Sequence, residues 1–402
     1  MRITILLAGI LLASSLAHAE GEAGSMADAL ANGHAALSFR LRYEGVDDAA
    51  LADEAAAVTL RSRLSWQSAV YRGLRAVVEV DDVRAPVENY NSTVNGRTSR
   101  PIVADPPGTD LNRVALEWRS GATQVAIGRQ RINLDNQRFI GGSGWRQNEQ
   151  TFDGVTLQTQ VAKRVDLSYG YLYQVNRVYG PDNGTQVAEW HGRVHLFRAR
   201  IDAGVAGNVS AFSYLMDLHN AAAQSTATTG LLWTANPAVG GGWSLPLALS
   251  YARQTEHGDA TTPYSAHYLQ AEVGVARAAW TLKAGREVLS GDPVLAGHRF
   301  QTPLATLHVF QGWADKFLVT PPKGIEDTYV SIGGKLRAVT VQAAWHDFRA
   351  EAVSTRYGRE WDALASVPFG GHYEAMLKVA DYHADTFSTN TRKIWLMVNA
   401  NF

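Results

Sequence analysis

Lys393-Ile394-Trp395-Leu396-Met397-Val398-Asn399-Ala400-Asn401-Phe402 alternates with a period of two. Extended, it puts Ile394, Leu396, Val398, Ala400 and Phe402 on one side, and Lys393, Trp395, Met397, Asn399 and Asn401 on the other. A soluble protein rarely finishes on an exposed apolar strand, whereas an outer-membrane barrel turns that face to lipid and pairs its last strand with its first.

The same pattern recurs upstream in segments of about 10 residues spaced roughly every 20, which is the rhythm of a membrane barrel. Eighteen such segments are expected, among them 72–81, 243–254 and 392–402, making an all-β chain folded as an antiparallel transmembrane β-barrel. Val70-Tyr71, Ser120-Gly121, Ala162-Lys163, Arg277, Ala338 and Gly370-Gly371 are tight joins, and they alternate with longer ones. Periplasmic turns are short and extracellular loops long, so residues 82–109, 131–150 and 290–326 are expected as the longest outer loops. Residues 221–252 carry no Asp, Glu, Lys or Arg, but Pro237, Pro246 and Gly240-Gly241-Gly242 break any helix there and favour a hairpin.

Composition fits this class. The chain has 402 residues and no cysteine, so neither disulfides nor thiolate metal sites are available to hold it. A formal charge of -1 offers no pull on nucleic acid. Met1-Arg2, an apolar run to Leu16 and Ala17-His18-Ala19 read as a secretory signal peptide over residues 1–19, leaving 20–402 as one barrel in the lipid bilayer of the bacterial outer membrane.

Alternation also assigns the charges. Arg or Lys on the lipid side costs about 2 to 4 kcal/mol near the midplane, so cations belong inside. Arg40 and Arg42 oppose Leu37, Phe39, Leu41 and Tyr43; Arg61 and Arg63 oppose Leu60, Leu64 and Trp66. Arg75, Arg113, Arg198, Arg200, Lys283, Lys335 and Lys378 oppose apolar neighbours in the same way, as does Arg119. Glu79, Glu117, Asp202, Glu272 and Glu374 share the lumen, which gives a mixed wall with a cationic excess. Two readings stay open: an ordinary wall of paired charges, or a series of cations that selects anions. Arginine's fork suits carboxylates, so an acidic sugar or organic acid is the matched solute.

Gly128-Arg129-Gln130-Arg131-Ile132 followed by Gly144-Trp145-Arg146-Gln147-Asn148-Glu149-Gln150-Thr151-Phe152-Asp153-Gly154 resembles the signature of the alginate export family of outer-membrane porins. Phe300-Gln301-Thr302-Pro303, Gly312-Trp313-Ala314-Asp315-Lys316-Phe317, Gly358-Arg359-Glu360-Trp361-Asp362 and Lys378-Val379-Ala380-Asp381-Tyr382-His383-Ala384-Asp385 resemble its later segments in order. The resemblance implies an eighteen-stranded barrel with a basic lumen, through which an anionic polyuronate leaves by diffusion. It adds Arg129, Arg131 and Arg146 to the pore-lining set and makes periplasmic export proteins candidate partners. The alternative for Arg146, Glu149 and Asp153 is that they brace an inward loop by local ion pairs. The family's extended periplasmic loop before the last strands has no counterpart here, where only Gly370-Gly371 stands.

Catalysis is not expected. His191 and His195 lie about 13 Å apart along a strand, too far to share a metal. His346 and Asp347, as strand neighbours, point to opposite faces. Gly141-Gly142-Ser143-Gly144 lacks the Lys-Ser/Thr of a phosphate loop. No cofactor or metal site is therefore assigned. The expected function is passive diffusion of anionic solutes, alginate-type polyuronate first, with small organic acids or oligosaccharides, or a blocked adhesive barrel, as alternatives.

Overall fold

The computed structural model describes residues 22–295 and 297–402, so the export signal read at 1–19 lies outside the described residues. A short helix, α1 (Met26–Ala31), leads into ten strands: β1 (His34–Asp48), β2 (Ala55–Gln67), β3 (Leu74–Asn89), β4 (Gly108–Ser120), β5 (Thr123–Gln130), β6 (Thr151–Ala162), β7 (Val165–Asn176), β8 (Glu189–Asp202), β9 (Asn208–Leu218) and β10 (Thr226–Ala235). A small pair follows, β11 (Ala238–Gly240) and β12 (Trp243–Ser244). The sheet continues through β13 (Leu247–Glu256), β14 (Ser265–Arg277), β15 (Trp280–Leu289), β16 (Ile325–Leu336), β17 (Val339–Arg349), β18 (Arg356–Phe369), β19 (Tyr373–Ala384) and β20 (Thr391–Asn401). All twenty lie in one antiparallel sheet, and setting aside the short β11 and β12 leaves eighteen that cross the membrane.

The ring is closed. β1 pairs with β20 from Ser38 opposite Asn401 to Asp48 opposite Thr391, and Leu37 and Phe402 exchange backbone hydrogen bonds of 3.0 and 2.8 Å. Closure leaves no unpaired edge, which is what lets a sheet stand in hydrocarbon. Two expected boundaries shift. β3 runs on to Asn89, so the next outer loop begins later than residue 82. The strand expected over 243–254 is broken at Pro246, which has no backbone donor; Trp243–Ser244 pairs with β11 and β14 instead.

Aromatic side chains mark both membrane faces. Trp118, Trp280, Phe369, Tyr373 and Phe402 are exposed near the periplasmic turns, while Tyr173 and Trp361 are exposed toward the other end. Trp361 and Phe369 share one face of β18, eight residues and thus roughly 26 Å apart along the strand, or about 20 Å across the bilayer at the usual tilt. That spacing suits the apolar band of an outer-membrane barrel.

Candidate functional site

Two outer loops, residues 131–150 and 290–324, turn into the barrel and meet there. Gly141 N–H donates to the Leu304 carbonyl at 2.9 Å, and Thr306 N–H to the Gln137 carbonyl at 3.1 Å. Their apolar residues explain the inward turn. Phe139 packs among Phe212, Tyr214, Tyr268 and Phe300, with ring centroids 5.0 to 6.4 Å apart. Phe317 stacks into a second group with Phe348, Tyr357 and Phe387. The main apolar cluster of the protein is therefore made of inner-wall residues and these two loops.

A buried polar knot ties the loops to each other and to the wall. Asp315 accepts from Arg146 Nη2 at 2.9 Å, from Lys393 Nζ at 2.8 Å and from His308 Nδ1 at 2.7 Å. The other ring nitrogen of His308 lies 2.6 Å from Lys378 Nζ, so the network assigns a neutral imidazole with its proton on Nδ1. Lys378 also faces the rings of Trp145 and Trp313, 4.1 and 3.8 Å from their centroids. Burial lowers the His308 imidazole to about 3, and Asp315 beside it only partly offsets this. For Asp315, burial pushes the carboxyl up, but His308, Lys393 and Arg146 outweigh it and hold it well below the usual carboxylate range.

Next to this knot, Gly312 lies over Glu360. Trp313 and Ala314 donate their backbone N–H groups to Asp362 and Glu360 at 3.3 and 2.7 Å. Gly312 has φ +80, and a Cβ there would stand 2.5 Å from the Glu360 carboxyl carbon. The Gly312→Ala variant is expected to lift this segment and lose about 1 to 3 kcal/mol. The check is the temperature at which the folded band converts to the unfolded one in detergent gels, which should fall by several degrees.

The arginines of β1 and β2 point inward, as alternation expects, but lie beneath the loop 131–150. Arg40 Nη1 donates to the carbonyls of Gly144, Trp145 and Arg146 at 3.0 to 3.2 Å, and Arg42 Nη1 to that of Trp145 at 2.6 Å. Arg42 forms an ion pair with Asp105 and is 0% exposed. Arg63 binds Asp81 and Glu149, Arg131 binds Glu79 and Glu149, and Arg61 is buried beside them. Burial raises the Glu149 carboxyl, yet Arg63, Arg131 and Arg61 overcome this and keep it ionised far below its ordinary range. Arg42, Arg61, Arg63, Arg146 and Lys378 are thus supports of the constriction, and their burial corrects the expectation that each would meet solute.

Arg129 departs further from expectation. It lies on the same face as Val125 and Ile127, the outer one, and its Nε and Nη2 bind Asp153 at 2.8 and 3.0 Å. Ala126 and Gln130, its alternates, are the buried inner residues. An arginine near the rim can face outward when a carboxylate is set directly opposite, which motif spacing alone does not reveal. The bracing alternative for Arg146 and Glu149 describes what is seen.

Solute-sized space remains along the wall from β4 to β8. One recess of about 300 Å³ is lined by Arg113, Glu117, Gln130, Arg131, Gln158 and Arg198, among others. A second of about 310 Å³ shares Gln124, Gln158, Ser168 and Arg198 with it and runs on to Arg119, Gly121, Asp166 and Arg200 at the periplasmic turns. Across both, five arginines face two carboxylates, Glu117 and Asp166. Arg113 lies 3.2 Å from Glu117 and Arg198 Nε 3.1 Å from Asp135, but among the described residues the side chains of Arg119 and Arg200 hydrogen bond only to Gln124 and Asn208. Elsewhere on the inner face, Arg75 binds Glu117 and Lys283 binds Glu272, while Lys335 is exposed near the periplasmic turn. The structure brings Arg113, Arg131, Arg198 and Arg200 together and leaves Lys283, Lys335 and Arg75 outside that path.

Residues that period-two reading missed are those the loops bring to the knot: Trp145, His308, Trp313 and Asp315. The available signal was a run of large apolar and charged residues inside expected loops, a composition that solvent-exposed loops rarely need. His346 and Asp347 do part: His346 Nδ1 is 3.0 Å from Asp327 inside the barrel, and Asp347 binds Arg349 on the outside.

A closed eighteen-stranded barrel with girdled faces, inward loops and a basic wall is an outer-membrane porin. The alginate export family matches residues 33–238, more than half of the 402, and the protein belongs to that family. The barrel is similar to OccAB4 of Acinetobacter baumannii, with a TM-score of 0.73 at 12% identity over 92% of this chain and 98% of that one. It is also similar to OpdK of Pseudomonas aeruginosa with vanillate, TM-score 0.70 at 14% identity over 93% and 99%. OpdL of the same organism gives 0.68 at 17% over 93% and 99%. At these identities the likeness is one of fold. No curated protein matches the chain in sequence.

Proposed function

We propose that this porin, exported by the signal at residues 1–19, passes small carboxylate-bearing solutes by diffusion along the basic recesses between β4 and β8. The observation that carries the reading is the excess of five arginines over two carboxylates along them, with Arg119 and Arg200 held, among the described residues, only by neutral partners. Recesses near 300 Å³ suit one sugar acid or a ring the size of vanillate, the ligand named with OpdK. Family membership favours a second reading, the passage of a polyuronate one residue at a time. No side chain undergoes chemistry in either, so transport is selective without turnover.

Planar-bilayer recordings in a potassium chloride gradient test this, and an anion-signed reversal potential is expected. The double variant Arg119→Glu, Arg200→Glu should move it toward the cation side, cutting the chloride-to-potassium permeability ratio at least about twofold. Cation preference in the wild type, or an unmoved potential in the variant, would sink the proposal. Liposome swelling with glucuronate against its oligomers separates the two cargo readings.

A further inference from the structure

On the outer wall, β17 and β18 stack polar and apolar layers in order. Trp345 lies opposite Trp361, ring centroids 6.4 Å apart; one step toward the extracellular rim Asp347 lies opposite Arg359, and beyond them Arg349 opposite Arg356. Asp347 accepts from Arg349 Nε at 2.8 Å and Arg359 Nε at 3.4 Å, and Arg356 Nε stands 2.8 Å from the same carboxylate as an ion pair without hydrogen-bond geometry. Asp385 stands 3.9 Å from Arg356 Nε.

Three cations thus share one close carboxylate, with a second at the edge. Their side chains are 39, 35 and 50% exposed, and each contact uses Nε. Among the described residues, none of the three donates a hydrogen bond through its terminal Nη groups, which leaves these groups accessible from outside the barrel. Arg392 likewise gives only its Nε, to Asp381, but two other outward arginines differ. Arg84 gives both Nε and Nη2 to Asp82 at 2.9 and 2.8 Å, and Arg129 does the same with Asp153. Flanking carboxylates have partners of their own: Glu326, which lies opposite Arg349 in the ladder, binds Arg286, and Asp381 binds Arg392 with His383 3.8 Å away.

Depth identifies the acceptor. Interfacial tryptophans lie at headgroup level, so the arginines one and two steps beyond Trp345 and Trp361 stand just outside it. In the outer leaflet that layer holds the sugar phosphates of a glycolipid, and forked guanidinium groups are matched to phosphate oxygens. We propose that Arg349, Arg356 and Arg359 seat a phosphate of one outer-leaflet glycolipid, whose acyl chains run down over Trp361, Ala363 and Val341. The seat is on the lipid side of the wall and independent of the permeation path.

Native mass spectrometry of the full refolded barrel tests the seat with diphosphorylated lipid A, its dephosphorylated form, phosphatidylglycerol and inorganic phosphate. One tightly held diphosphorylated lipid A per barrel is expected, bound about tenfold more weakly by Arg349→Ser, Arg359→Ser. Arg84→Ser should bind as the wild type does. Heat-modifiable gel migration verifies folding; should the double variant fail to fold, Arg356→Ser carries the test. Undiminished binding by the variants, or equal retention of the dephosphorylated lipid, overturns the phosphate seat. Equal binding of phosphatidylglycerol or inorganic phosphate overturns its assignment to glycolipid.

Discussion

Replacing Asp315 by alanine is expected to open the channel, read as a single-channel conductance at least about twice that of the wild type with frequent current steps. One carboxylate holds Arg146 of the first inward loop, His308 of its own loop and Lys393 of β20, so its loss frees both loops together. Removing one partner from a buried pair typically costs 3 to 5 kcal/mol, roughly a hundredfold or more in the docked-to-undocked ratio. Acid should act in the same direction. His308 has its docked value lowered to about 3 from 6.5, so the undocked loop gains a proton first and docking weakens progressively as pH falls below about 6.5. Asp315, also depressed, adds its own loss only once pH falls through the ordinary carboxylate range. Recordings from pH 7 to pH 5 should therefore show rising step frequency in the wild type. A flat response, or an Asp315→Ala variant with unchanged conductance, would refute the knot as the holder of the constriction.

Arg42→Ala should be among the most destabilising single changes in the chain. Arg42 is 0% exposed and pairs with Asp105, whose other oxygen accepts the Gln147 N–H at 2.8 Å. Burial raises the Asp105 carboxyl, and Arg42, Arg146 and the Gln147 amide together bring it below its ordinary range. Alanine would strand that carboxylate, for a loss of about 3 to 5 kcal/mol. The double variant Arg42→Ala, Asp105→Ala removes the stranded charge too and should recover part of the loss. Melting of the gel-shifted folded form measures both. A single variant no less stable than the double would disprove the argument.

The wall was legible in the chain because period two leaves no freedom: once Leu37, Phe39 and Leu41 face lipid, Arg40 and Arg42 must face in. The same rule placed Asp347 away from His346. What alternation cannot supply is the third dimension of the loops. Arg42 and Arg198 obey one rule, yet Arg42 lies under Trp145 while Arg198 borders open space. That difference comes from where residues 131–150 fold, which depends on Phe139 finding four distant rings. Arg129 misled because the family motif fixes its spacing and not its side; only the inward Gln130 and Ala126 settle that.

The constriction is fastened across the seam where the ring joins. Arg40 and Glu44 of β1, Lys378 of β19, and Lys393 and Trp395 of β20 all hold the two inward loops. A rivet through a weld carries load for both plates. Any mutation or solute that frees the loops should consequently also make the cylinder easier to unzip at its joint, so permeability and mechanical toughness cannot be tuned apart in this protein.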